Sequence, residues 1–424
     1  MQKANTHFNN YMKEALDKAE THIKKQEMPF PEMSLDQLAE TLSLTIKHDY
    51  ICKTVTFLGM LSAYTYDSQL NISFNAPSSS GKTYITSEVA KLFPASDKIE
   101  ISGASPTALF YQQGEKDKES DCRILNLENK ILIFYELPDN KVQERLRAIA
   151  SHDNREQIHQ YTNKSKNGTN RTDKIKIIGF PAMLFCSASL RINEQEQTRE
   201  FLLSPEQSQE KIAAAIELQN RRGNDERSFY EWLHKNPARV SLMKRIEAIR
   251  DEDVRYIKLP DSDEFKSRFI DSFKQLRERH TRDFTHVQQL IKSIALLNIW
   301  YRKQEDGSYL ATVEDVEVAM KLWEQFSESQ EMGVPPTVLR FYKDFVLPLH
   351  EEVRNTHPNM RVGFSSETLS NYHLHKTGTL LNSDTLRKQI LPQLSVSGLI
   401  DLEKPEQGDK RSKWIYPKWK VKTK

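Results

Sequence analysis

The chain has 424 residues, 38% hydrophobic and 28% charged, enough for about three units at roughly 150 residues per domain. Lys plus Arg number 61 against 59 Asp plus Glu, so the net charge of +2 excludes a globally basic nucleic-acid binder, and any such surface must be local. No run of about 20 apolar residues is present, which argues against a transmembrane helix, and the polar, mixed-charge N-terminus is unlike a secretory signal. Cys52, Cys122 and Cys186 form no CxxC pair, so neither a disulfide framework nor a zinc site is expected. His373 and His375 read as solvated loop residues. The expectation is a reduced, soluble, cytoplasmic protein. Glycine, at 13 of 424, is scarce enough to predict a helix-rich chain.

Pattern shifts divide the chain into a helical N-terminal region (1–68), an α/β core (69–205), a second helical region (206–332) and a C-terminal unit (333–424). In the first, Leu35, Leu38, Leu42 and Leu44 follow a helical rhythm after Ser34 as N-cap, and Cys52, Val55, Phe57, Leu58 and Leu61 form a second apolar face. In the core, Leu70–Asn75, Ile99–Ser102, Ile131–Tyr135 and Ala182–Ser187 read as strands alternating with helices, the signature of an α/β sheet. The third region is helical, most clearly in VQQLIKSIALLNIWYR. The last reads as three helices followed by two strands.

The strongest motif is APSSSGKT, residues 76–83, placed between a strand ending at Asn75 and a helix running through Leu92. This is a phosphate loop with Ala76 in place of the usual first glycine. Small residues from Ala76, Pro77, Ser78, Ser79 and Ser80 to Gly81 let backbone N–H groups wrap phosphates, and the helix N-terminus at Lys82, Thr83 and Tyr84 adds its partial positive charge. Lys82 is placed to reach the β- and γ-phosphates and Thr83 to offer its hydroxyl to Mg²⁺. ATP or GTP binding follows.

A phosphate loop needs a partner carboxylate on a neighbouring strand, and the strand ILIF ends in Tyr135-Glu136; similarity to ATPases of the AAA+ type implies that Glu136 activates water and, with Thr83, serves the metal shell. A second apolar strand ends in small polar residues, and similarity to ATPases of the AAA+ type implies that one of them, Ser187 or Ser189, contacts the γ-phosphate. Arg199 precedes another short apolar run, a position that suits an arginine finger reaching a neighbouring subunit.

Two surfaces point to DNA. Between Gln157–Asn163 and Thr172–Ile178 lies a loop with Lys164, Lys166 and Arg171 and an Asn-Gly pair, which reads as a β-hairpin with a basic tip. In the C-terminal unit, Thr337–Val353, Ser366–Tyr372 and Ser383–Ser397 are followed by strands at 398–403 and Lys413–Pro417, the outline of a winged helix. From Lys410 to Lys424 there are seven Lys or Arg and no acids, with Lys410, Arg411 and Lys413 beside Trp414, Tyr416 and Trp419. Cations among aromatics suit nucleic acid, although winged helices also serve as protein contacts.

Taken in order, APSSSGKT, SGASPTALFY, ILIFYE, the REQIHQYTN segment with its basic hairpin, EQTREFLLSPEQ and TRDFTHVQQLIKSIALLNIWYR resemble the AAA+ helicases related to the minichromosome-maintenance proteins, encoded by bacterial mobile elements. The ATPase half of zinc-finger primase–helicase fusions is similar. The resemblance spans about Tyr50 to Lys303 and implies an AAA+ core with a helical lid, a homo-hexameric ring and a pore hairpin gripping single-stranded or forked DNA. It also makes Arg282 the second sensor arginine and provides for a primase or polymerase partner. Tyr135 departs from it, standing where those enzymes have the metal-shell aspartate, and no primase zinc finger is present. The function expected is an ATP-driven helicase or translocase of mobile-element replication. An ATP-switched initiator or loader, or a DNA-sensing defence ATPase, stands as the alternative.

Overall fold

The computed structural model describes residues 29–102, 115–116, 122–138, 140–164, 170–187, 198–260, 263–356, 361–404 and 413–418. Its organising element is a parallel sheet built from β1 (Ile72–Asn75), β2 (Lys98–Ile101), β5 (Ile131–Phe134), β8 (Ala182–Ser187) and β9 (Phe201–Leu203), in the order β2-β5-β8-β1-β9. All four pairings are parallel. Three central strands, β1, β5 and β8, are buried along their whole length, and β5 and most of β8 read as the continuous apolar runs expected of strands covered on both faces.

The period-2 alternation of a strand assigns each face its own core. Ile131, Ile133, Leu184 and Cys186 join the main cluster, together with Phe57 and Leu61 of the helix Tyr50–Leu61, Ile85 and Val89 of the helix Lys82–Ala90, and Leu290 and Ile294 of the helix Arg279–Leu297. Leu132, Phe134, Met183 and Phe185 face the opposite way, onto Val142, Leu146 and Ile149 of the helix Asn140–Ala150 and onto Leu125, Ile175 and Ile177. Phe134 and Phe185 stack there with ring centroids 5.0 Å apart.

Leu125, Ile175 and Ile177 come from a second, four-stranded sheet in the order β3-β4-β7-β6, where β3 is Glu115–Lys116, β4 is Cys122–Asn126, β6 is Glu156–Lys164 and β7 is Asn170–Ile178. The expected hairpin is therefore present: β6 and β7 pair antiparallel from Glu156↔Ile178 to Lys164↔Asn170. The additional strands β3 and β4 had no counterpart in the sequence reading.

The N-terminal helices do not stand apart. The helix Leu35–Leu42 starts with a reciprocal cap in which Ser34 Oγ accepts from Gln37 N–H and Gln37 Oε1 accepts from Ser34 N–H, and its apolar side joins the main core. Met33 exchanges two hydrogen bonds with the Asn298 side chain, at 2.8 and 2.9 Å, which ties this end to the helix Arg279–Leu297. The helical rhythm read through Leu44 stops at Leu42, and the segment 43–49 is a loop.

The C-terminal unit has its own core, centred on Val338, Tyr342, Leu369, Leu386, Leu394 and Ile415. Helices span Pro336–Thr356 (with a π-turn at Tyr342–Val346), Ser366–Thr377 and Ser383–Val396 (with a π-turn at Leu386–Ile390). Three short strands, β10 (Ile257–Lys258), β11 (Gln304–Glu305) and β12 (Ser308–Leu310), form a small sheet ahead of this unit, whose own sheet has three strands, not two. β13 (Phe364–Ser365) and β14 (Ile400–Glu403) flank β15 (Trp414–Pro417), all antiparallel. His373 and His375 lie on the helix Ser366–Thr377 rather than in a loop, two residues apart and so on different faces; His373 Nδ1 is 3.0 Å from Thr379 O. Among the described residues no helix is long and apolar enough to cross a membrane, and no group of His, Cys, Asp and Glu could hold a metal ion.

Candidate nucleotide-binding site

The phosphate-loop sequence leaves β1 at its carboxyl end and enters the helix at Lys82. Ser79 (φ 64°) and Gly81 (φ 97°) are left-handed at alternate positions, a backbone pattern that gathers successive N–H groups into an anion-binding concavity. Gly81 meets this demand at little cost, since a side chain there would be strained at φ 97°. Lys82 Nζ donates to the carbonyls of Ala76 (2.6 Å) and Pro77 (2.7 Å), so the ammonium lies inside the curve of the loop. Burial holds its pKa below the ordinary lysine value. Thr83 is exposed at the first turn.

A cavity of about 740 Å³ opens beside the loop. Ser78 to Thr83 form its floor, Thr45, Ile46 and Asp49 one wall, and Lys211, Ile212, Ala215 and Ile216 of the helix Gln209–Asn224 the other. Tyr84 lines it too, its hydroxyl donating to Thr45 O at 2.8 Å. The combination of a polar, phosphate-wrapping end and an apolar body is that of a nucleotide pocket. Neither wall was read from the sequence: 43–49 lacks periodicity, and the helix Gln209–Asn224 is an amphipathic segment whose apolar side gives no hint of its target.

The neighbouring strands bring further residues to the carboxyl edge. Ser187, buried at the end of β8, is paired with Asn75 at the end of β1, immediately before the loop. Ser189 lies outside the described residues. Glu136 is exposed two residues beyond β5, at the carboxyl edge of the sheet from which the phosphate loop also leaves, and it does not line the cavity. Tyr135 points to the main core, and its hydroxyl donates to Glu100 Oε2 at 2.7 Å; burial, helped by Glu100, raises the phenol above its ordinary value. The hydroxyl of Thr83 and the carboxylate of Glu136 are hard oxygen donors of the kind Mg²⁺ takes, and they are the residues that would hold it.

Arg199 and Arg282 are placed differently. Arg199 precedes β9, whose first residue, Phe201, pairs with Ile72 at the amino end of β1. Its Nε donates to Ser151 Oγ at 2.7 Å, and Arg282 donates to the hydroxyl of Thr198. The two arginines thus share the edge of the sheet opposite the phosphate loop, and within one chain neither closes the pocket.

Of the expected DNA-contacting residues, Lys164 ends β6, Arg171 is the second residue of β7, and Lys413 is exposed just before β15. Lys166, Lys410, Arg411 and Trp419 lie outside the described residues. Tyr416 is not an open stacking platform: the Arg361 guanidinium covers its ring at 4.5 Å and is itself paired with Glu403.

The parallel sheet, the loop at the carboxyl end of a central strand and the helix that follows define a P-loop core of the nucleoside-triphosphatase type. Residues 31–231 match the model of a family described as the MTBMA_p00010 P-loop domain, and the match takes in both walls of the cavity. A search of curated proteins returned no match.

Proposed function

We propose that the protein is an ATP-driven, Mg²⁺-dependent AAA+ motor that works on single-stranded or forked DNA as a homo-hexameric ring, in the replication of a mobile genetic element. The observation that carries the reading is the separation of Arg199 and Arg282 from the phosphate loop by the full length of the sheet. Arginines that serve the γ-phosphate from that edge must do so in the next subunit, which requires an assembly.

In this account the loop N–H groups and Lys82 hold the triphosphate, and Thr83 and Glu136 hold the metal. When bound, the metal would supply charge neutralisation to the phosphates. Glu136 orients and deprotonates the attacking water, Ser187 contacts the γ-phosphate beside Asn75, and Arg199 with Arg282 stabilises charge from across the interface. The sheet order supports the AAA+ assignment, because β8 separates the phosphate-loop strand from the Glu136 strand. The hairpin β6–β7 supports the DNA assignment, since its antiparallel arms belong to a sheet anchored on the core and lead to the basic segment between Lys164 and Arg171.

The C-terminal unit, with three helices and a three-stranded antiparallel sheet around a separate core, supports a winged helix. It also favours a second reading, an ATP-switched initiator that binds origin DNA without unwinding it. ATP-dependent unwinding of a forked duplex, with Lys82→Ala as control, separates the two. Strand separation lost in the variant is expected; hydrolysis and DNA binding without separation would move the protein to the initiator class.

A further inference from the structure

We propose that Asp49 and Lys211 form a latch that fixes the helix Gln209–Asn224 against the phosphate loop, making Lys211 a positioning residue for nucleotide binding. The inference rests on the reading of the cavity as a nucleotide pocket.

The helix Gln209–Asn224 has no buried residue. Its apolar side, Ile212, Ala215 and Ile216, faces the cavity instead of a packed core, so little hydrophobic energy holds its first turns in place. The hold is polar. Ser208 Oγ caps the helix by accepting from Lys211 N–H at 3.2 Å. Lys211 Nζ then reaches three acceptors on three segments: Ser80 O in the phosphate loop (3.2 Å), Glu206 O (3.0 Å) and the Asp49 carboxylate. The contacts to the two carbonyls are hydrogen bonds, and the contact to Asp49 is an ion pair.

Asp49 is 1% exposed and left-handed at φ 51°, a conformation few non-glycine residues adopt. Its second oxygen accepts from Glu206 N–H at 2.6 Å. Asp49 immediately precedes the helix Tyr50–Leu61, which packs in the same core as the phosphate-loop helix. One lysine therefore joins the floor of the cavity to both walls. A buried carboxylate paired with an ammonium is strongly dependent on that partner. The burial of Asp49, which raises its pKa against the pull of Lys211, expresses the same dependence.

The test uses the full chain in four forms: unsubstituted, Lys211→Met, Lys211→Arg, and the double variant Asp49→Asn with Lys211→Met. Hydrogen exchange is followed without nucleotide, and binding and turnover are followed with a fluorescent ATP analogue and Mg²⁺. Lys211→Met should speed exchange across 209–224 about tenfold and weaken binding about tenfold, while turnover at saturation changes less than threefold. Lys211→Arg should restore most of the affinity. The double variant, which leaves no unpaired buried charge, should keep both the fast exchange and the weak binding. Recovery of tight binding in the double variant would overturn the latch, since the single variant would then report only a stranded carboxylate. Unchanged exchange in Lys211→Met would also overturn it. Faster exchange in Lys211→Met, with no nucleotide bound by the unsubstituted chain, would keep the latch and overturn the nucleotide reading beneath it.

Discussion

His286 packs against Phe201, with ring centroids 5.1 Å apart, and so places an imidazole in the wall of the main core. Burial pushes its pKa down to about 4; Arg279 and Arg282 push the same way, against Asp283. The folded state therefore prefers the neutral ring. Its contribution to stability is complete above the unfolded pKa near 6.5 and is lost as pH falls toward 4, amounting to about 3 kcal/mol at most. Thermal melts at pH 7 and pH 5 should show a steeper acid loss for the unsubstituted chain than for His286→Phe, which keeps a ring beside Phe201. Parallel losses would show that His286 does not titrate on unfolding.

The phosphate loop predicts a division of labour between two side chains. Lys82→Ala removes the buried ammonium that lies among the Ala76 and Pro77 carbonyls, and it should abolish nucleotide binding along with hydrolysis. Glu136→Gln should bind nucleotide normally and lose about 100-fold or more in turnover, as loss of a positioned catalytic group typically does. Near-normal turnover in Glu136→Gln would remove Glu136 from the chemistry.

Much of this site was legible because it is local. The phosphate loop spans eight consecutive residues, and β5 and β8 are buried on both faces, so they appear as unbroken apolar runs. The hairpin β6–β7 is legible from the Asn-Gly pair in the sequence between its arms. What escaped depends on partners far away in the chain. β4, CRILN, mixes charged and apolar residues because it belongs to a smaller sheet only partly covered by the core. β13 has two residues, too few for any periodicity. Lys211 is 131 positions from Ser80, and nothing near it in sequence marks a lysine that will sit on the phosphate loop. Tyr135 was recognised as a departure, but its bond to Glu100 depends on β2 lying beside β5.

The core of the C-terminal unit is separate from the main core, which makes the unit removable in principle. A chain ending at Met332 should stay folded and hydrolyse nucleotide at close to the full-length rate. Its affinity for DNA should fall several-fold, with a shallower dependence on salt because fewer phosphates are neutralised. Undiminished affinity and an unchanged salt slope would reassign the unit to protein contacts.

The most direct test of the account is subunit mixing. Lys82→Ala lacks the phosphate-loop cation but keeps Arg199, whereas Arg199→Ala keeps the loop but lacks the arginine at the opposite edge of the sheet. Each variant alone should be nearly inactive in DNA-stimulated ATP hydrolysis. Mixed, they should regain measurable turnover, because some interfaces then pair an intact loop with an intact arginine. No recovery on mixing, or full turnover by Arg199→Ala alone, would contradict catalysis across a subunit boundary.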